Sequence, residues 1–118
     1  MKDINRVVLR GELIRDAYFT NTPRGTAVTT FTLAFTNIPA QPGGPRNKRG
    51  LIDVIYCSDE SSRWAQLLKK ASTVVVEGRL QQRSWQTPEG IQKQKMEIVA
   101  DKLTCSDLSS EQTEDDGD

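Results

Sequence analysis

A chain of 118 residues and 13.2 kDa has room for one domain, able to bury about 60–70% of its unfolded surface in a small core. It has no His, and its two cysteines, Cys57 and Cys105, lie far apart without CxxC spacing, which excludes the usual zinc-ligand sets and any Ser-His or Cys-His nucleophile pair. The formal net charge is zero, yet all 16 Lys and Arg lie at or before Lys102 and six of the 16 acidic residues lie beyond it, so residues 1–102 carry +6 and the remainder −6; a polyanion-binding body with an acidic tail is the class this indicates.

The first element is a strand. From Asn5 to Leu13, Val7, Leu9, Gly11 and Leu13 alternate with Arg6, Val8, Arg10 and Glu12, the period of a half-buried β-strand. Tyr18 and Phe19 read as loop residues before a Thr22-Pro23-Arg24-Gly25 turn, where Pro presets φ and Gly permits φ above zero. Ala27 to Asn37 is the second strand, with Phe31, Leu33 and Phe35 on one face. Residues 39–50 hold three prolines and three glycines around Arg46, Lys48 and Arg49, a basic hairpin loop rather than a regular element. Leu51 to Cys57 is the third strand, and Phe35 and Tyr56 suit the inward strand faces.

One helix follows. Trp64, Leu67, Leu68 and Ala71 fall at i, i+3, i+4 and i+7, with Ser58 or Asp59 as the N-cap and Lys69 and Lys70 in the last turn. Trp64 belongs to that stripe and is expected in the core. Val74 to Trp85 is the fourth strand, Thr87-Pro88-Glu89-Gly90 a turn, and Ile91 to Leu103 the fifth strand. The expected fold class is all-β, a small barrel with one helix: a five-stranded OB-fold with the helix between strands 3 and 4. Residues 1–104 form this domain and residues 105–118 a short acidic tail, too poor in apolar residues to order itself. The N-terminus lacks the apolar core of a signal peptide, and no apolar run approaches membrane-spanning length; a cytoplasmic protein with reduced thiols and no membrane association is expected. Asp16, Asp53, Asp59 and Glu60 are scattered among loop, strand and helix start, so neither a metal site nor an enzyme is expected, and no cofactor.

Five blocks carry a resemblance. Asn5-Arg6-Val7-Val8-Leu9-Arg10-Gly11-Glu12-Leu13 with Arg15-Asp16 resembles the opening strand of bacterial single-stranded DNA-binding proteins. Thr22 to Val28 with Phe31-Thr32-Leu33-Ala34, Ile52-Asp53-Val54-Ile55, Val74 to Leu80 with Arg83-Ser84-Trp85 and Gly90, and Glu97 to Asp101 resemble that family's later blocks, in order and over roughly residues 4–103. The resemblance implies sequence-tolerant binding and protection of single-stranded DNA in replication, recombination and repair. It also implies a homotetramer of OB-folds in a nucleoid-associated, cytoplasmic setting. Such a protein needs positive charge for phosphates and flat rings for bases.

Residue by residue, Trp85 matches the family's stacking tryptophan, and Tyr18 and Phe19 are further stacking candidates. Arg6 and Lys70 match basic family positions, and Arg79 and Arg83 lie beside positions near DNA. Arg10, Arg46, Lys48, Arg49, Lys93 and Lys95 join them as phosphate contacts by local reading. Where better-known members carry aromatic residues this chain has Pro39, Leu51 and Cys57, which implies fewer stacked bases and more reliance on phosphate charge. The family's acidic tip ends in apolar residues that dock replication and repair proteins; Ser109 to Asp118 is acidic without them. Docking of such partners, competition with DNA for the basic groove, and merely keeping the protein soluble are the readings of this tail. A second reading of the whole chain is a dimeric, primosomal-type OB adaptor that mainly assembles replication proteins.

Overall fold

The structure is a computed structural model that describes residues 2–37, 43 and 49–105. Its elements are β1 (Val7–Leu13), β2 (Tyr18–Asn21), β3 (Ala27–Phe35), β4 (Gly50–Cys57), α1 (Ser61–Leu67), β5 (Thr73–Gln86) and β6 (Gln92–Cys105). The five expected strands and the helix are present in the expected order. A sixth strand, β2, corrects the loop expected around Tyr18 and Phe19. Tyr, Phe and Thr favour extended backbone, and the Thr22–Gly25 turn folds them back onto β3 as a hairpin, Tyr18 opposite Thr30 and Phe19 opposite Thr29. Gly25 sits at φ +87 and its N–H donates to the Thr22 carbonyl at 2.8 Å.

Hydrogen-bonded neighbours run β1-β5-β6-β4-β3-β2, and an additional β1–β3 pairing closes the first five into a ring. All these pairs are antiparallel except β4–β6. A closed five-stranded ring with one parallel pair and a helix between its third and fourth members is the OB-fold arrangement. Two glycines allow the strands to cross closely. A Cβ at Gly11 would lie 2.3 Å from the Ala34 carbonyl oxygen, where β1 turns from β5 to β3, and one at Gly78 would lie 2.1 Å from the Val99 oxygen. Gly78 borders the register shift at Glu77/Gly78, where β6 contributes an extra residue and the sheet bends.

Alternation along each strand builds the core. Leu13, Leu33, Val54, Val76 and Ile98, one from each ring strand, are fully buried together with Leu68. Each contributes about 1.5–3 kcal/mol through removal from water. The helix differs from the expected stripe. It ends at Leu67, which is exposed; Leu68 turns extended (φ −91, ψ 98), and Ala71 lies outside at φ +74. Tertiary bonds override helical spacing here: the Leu68 carbonyl accepts from Ala17 N–H (2.9 Å), and Leu13 exchanges bonds with Ala71 and Ser72 (2.8 and 3.0 Å). Glu60 is the N-cap and makes no side-chain cap bond; Ser58 accepts from Glu60 N–H instead, and Lys69 and Lys70 lie past the last turn. Trp64 packs on the core edge-on to Tyr56, with ring centres 6.4 Å apart. Among the described residues, no helix is long and apolar enough to cross a membrane.

Candidate functional site

The site is built on the half of the β5–β6 hairpin that leaves the barrel. In β5 the residues from Thr73 to Gly78 alternate between half-buried and buried, whereas all from Arg79 to Gln86 are exposed. The Thr87–Gly90 turn that ends the hairpin has Gly90 at φ +88, with Gly90 N–H donating to the Thr87 carbonyl (2.8 Å) and Ile91 N–H to the Thr87 hydroxyl (3.1 Å). Its strong turn chemistry fixes the register behind it.

That register places Trp85 opposite Lys93, Arg83 opposite Lys95 and Gln81 opposite Glu97. Directly opposed residues share a face, so these six side chains lie on one side of the sheet. The opposite side at Val76 and Ile98 faces the core, which makes the Trp85 side the outward one. Trp85 is 38% exposed. The Arg83 guanidinium lies over its ring, 5.0 Å from the ring centre, within cation–π reach. Arg83 Nε also donates to both oxygens of Glu97 (3.4 and 3.3 Å), whose side chain is 1% exposed, and Gln81 Nε2 donates to one of them at 2.9 Å.

The parallel β4–β6 pairing extends this face. Asp53 stands beside Glu97, accepts from the Thr32 hydroxyl at 2.6 Å and forms an ion pair with Lys95. Burial, the largest single influence on the Asp53 carboxyl, pushes its pKa up. The hydrogen bonds from Lys95 and Thr32 and the charges of Lys95 and Arg15 together outweigh it, and the pKa falls below its ordinary value. Beyond Asp53 the surface is grooved. One trough of about 450 Å³ runs along Ile14, Arg15, Leu51, Asp53, Lys95 and Met96. Another of about 610 Å³ runs along Arg15, Asp16, Tyr18, Thr30, Thr32 and Asp53. They share Arg15, Thr32 and Asp53 and so connect the base of the Trp85 hairpin to Tyr18, whose ring is 67% exposed.

The sequence-predicted residues are therefore only partly gathered. Trp85, Arg83, Lys93 and Lys95 converge on one face, and the troughs lead from it to Tyr18. Phe19 does not share Tyr18's face, because consecutive strand residues alternate: it is half-buried beside the buried Thr29, whose hydroxyl bonds the Ser61 carbonyl at the start of α1. Arg79 points outward but pairs with Asp101 (3.3 Å), and Arg6 pairs with Glu77 (3.1 Å) on the β1–β5 surface. Arg10 and Arg49 line a separate groove near Glu12, where Arg49 pairs with Glu12 (3.3 Å) and donates to the Ala34 carbonyl (3.3 Å). Lys70 is exposed, its backbone N–H held by Asp16 at 2.8 Å. Arg46, Lys48, Pro39 and the acidic stretch 107–118 lie outside the described residues. Leu51 and Cys57 are exposed on the outward side of β4, where a ring would meet solvent, and Cys57 is a free thiol.

Sequence reasoning missed the role of Arg15, Thr32, Asp53, Gln81 and Glu97. The resemblance pointed to Arg83 and Trp85, but the carboxylates beneath them come from β4 and β6 through pairings the linear pattern does not encode.

The single-strand binding protein family matches residues 4–106. The chain is 32% identical over 111 residues to a single-stranded DNA-binding protein of Clostridium tetani, covering 93% of this chain and 75% of that one. It is 37% identical over 100 residues to single-stranded DNA-binding protein 3 of Listeria innocua and, likewise 37% over 100 residues, to the single-stranded DNA-binding protein of Streptococcus pneumoniae. Those matches take in 85% of this chain and span 62% and 64% of the respective relatives.

Proposed function

Because the chain belongs to the single-strand binding protein family, whose members bind rather than catalyse, we propose that it binds and protects unpaired DNA with little regard to sequence. Its setting is replication, recombination and repair in the cytoplasm, on the nucleoid. The observation that carries this reading is a half-exposed Trp85 sharing an outward sheet face with Arg83, Lys93 and Lys95. A base stacked on such a ring is held by about 1–3 kcal/mol whatever its identity, and the cations neutralise the phosphates alongside. Tyr18, at the far end of the troughs, is the second stacking residue; Phe19 is left out by its register. Arg83, Lys93 and Lys95 are the central phosphate contacts, with Arg15 between them and Tyr18. Arg6, Arg10, Arg49, Lys70 and Arg79 flank this path, and Arg46 and Lys48 are contacts by sequence alone.

With outward positions on β4 occupied by Leu51 and Cys57, the protein stacks few bases and leans on charge. Anisotropy of labelled single strands and of a duplex, at low and moderate salt, tests this: single strands bind and the affinity falls steeply with salt, by a log–log slope of about −0.7 per phosphate contact. Equal affinity for duplex, or an affinity indifferent to salt, contradicts it.

The same ring-poor face favours one other reading, a dimeric OB adaptor whose task is assembling replication proteins. Native mass separates the two, four subunits for the DNA-coating role and two for the adaptor. Replication and repair proteins are the partners in either case.

A further inference from the structure

We infer that Glu97 is a positioning residue for DNA: it holds the Arg83 guanidinium across one face of Trp85, so that one preset unit offers its remaining nitrogens to a phosphate and the opposite ring face to a base. The inference rests on the binding function proposed above and adds to it a carboxylate where simple electrostatics expects none.

An arginine side chain exposed on a strand loses much rotamer freedom when fixed, and on a hairpin outside the barrel little packing holds it. Here the Nε edge of Arg83 faces both carboxylate oxygens of Glu97 at 3.3 and 3.4 Å. Glu97 itself is buried on β6 and accepts from Gln81 at 2.9 Å. A buried carboxylate is costly to leave unpaired, so the pair stays closed. The guanidinium carbon then lies over the Trp85 ring, 5.0 Å from its centre, while the Arg83 side chain remains 48% exposed. Neither terminal nitrogen hydrogen-bonds a described residue; among the described residues the Nε bonds are the only hydrogen bonds the Arg83 side chain makes. Arginine suits this arrangement because its planar fork can pair at one edge, stack with its face and donate from the other edge together. The next carboxylate, Asp53, is already engaged by Lys95 and Thr32 and does not compete for Arg83.

Charge alone makes the opposite prediction. An anion beneath a DNA-binding face repels phosphate, so neutralising it should tighten binding. The experiment uses the full chain carrying Trp64→Phe, so that Trp85 is the only tryptophan and is excited selectively over Tyr18 and Tyr56, with Glu97→Gln and Arg83→Lys added singly. Both variants are expected to raise acrylamide quenching of Trp85 in the DNA-free protein, because the cap leaves the ring. Both are expected to weaken oligo-dT binding about five- to tenfold, although Glu97→Gln makes the protein more positive and Arg83→Lys leaves its charge unchanged. Binding that is unchanged or tighter in folded Glu97→Gln, or a lower thermal midpoint with no change in quenching, overturns the positioning role. If Glu97→Gln does not fold, Arg83→Lys, which keeps the buried carboxylate paired with a cation, decides the matter by the same two readouts. A parent protein that fails to bind oligo-dT overturns the binding function itself; a parent that binds while the variants match it overturns only the role of Glu97.

Discussion

The two halves of β5 are made by the same backbone and do different work. From Thr73 to Gly78 the strand sits in the barrel wall, with Val74 and Val76 fully buried and their neighbours half-buried. From Arg79 to Gln86 it continues past the barrel as one arm of a hairpin, paired with β6 down to Gln86–Gln92 and exposed on both sides. The two tryptophans divide in the same way: Trp64 packs against the core and Tyr56, whereas Trp85 stands outward under Arg83. The difference teaches that ladder hydrogen bonds, not burial, hold the hairpin in register. Its outward side chains are thereby free of packing duty and available to a ligand. Glu97 belongs to both regions, a buried group that reaches the exposed face through Arg83.

Substitutions on either side of Gly78 should separate stability from binding, and the largest effect belongs to the barrel. Leu33→Ala, which removes a fully buried side chain, is expected to cost about 2–5 kcal/mol in denaturant unfolding, while molecules that remain folded bind oligo-dT as before. Trp85→Ala should do the reverse, losing about 1–3 kcal/mol of binding with its thermal midpoint nearly unchanged. Equal losses in both measurements would merge the two regions and remove the stacking role.

Asp53, at the border between wall and face, gives a smaller and pH-dependent effect. Its folded pKa lies below the ordinary value, so its contribution to stability is complete above about pH 4, the unfolded carboxylate range, and is lost as pH falls through the folded value. Thermal midpoints of the wild type and Asp53→Asn should therefore converge on acidification. A gap that stays constant or widens toward low pH contradicts the assignment. The smallest effect is expected at Lys93, which is exposed and has no ion-pair partner among the described residues. Lys93→Ala should reduce the salt slope of binding by about 0.7 and leave unfolding unchanged.

Much of this division was legible in the sequence. Alternation at Val7–Leu13 announced a wall strand, the valine run from Val74 to Val76 opened another, and the Thr87–Gly90 turn marked the β5–β6 hairpin. The helix was read too long because spacing alone cannot show that Leu68 leaves the helix to fill the core and that Ala71 bonds back to Leu13. Tyr18 and Phe19 were read as a loop because a four-residue strand is too short for alternation to register, and its pairing with β3 is what defines it. In the candidate site, Trp85 and Arg83 were readable through the resemblance of their block to the family's fourth strand. The ion pairs that engage Arg49, Arg79 and Lys95 were not, since their partners Glu12, Asp101 and Asp53 lie on other strands. The parallel β4–β6 pairing that brings Asp53 to Glu97 is a property of the closed ring, not of any local run of residues.

The most direct test of the outward hairpin as the DNA-binding face is the emission of Trp85 alone, in a Trp64→Phe background, during titration with poly-dT at two salt concentrations. The account predicts saturable quenching that shifts to higher poly-dT concentration as salt is raised. Binding detected by mass or anisotropy with Trp85 emission unaltered would place the polynucleotide elsewhere on the barrel and contradict it.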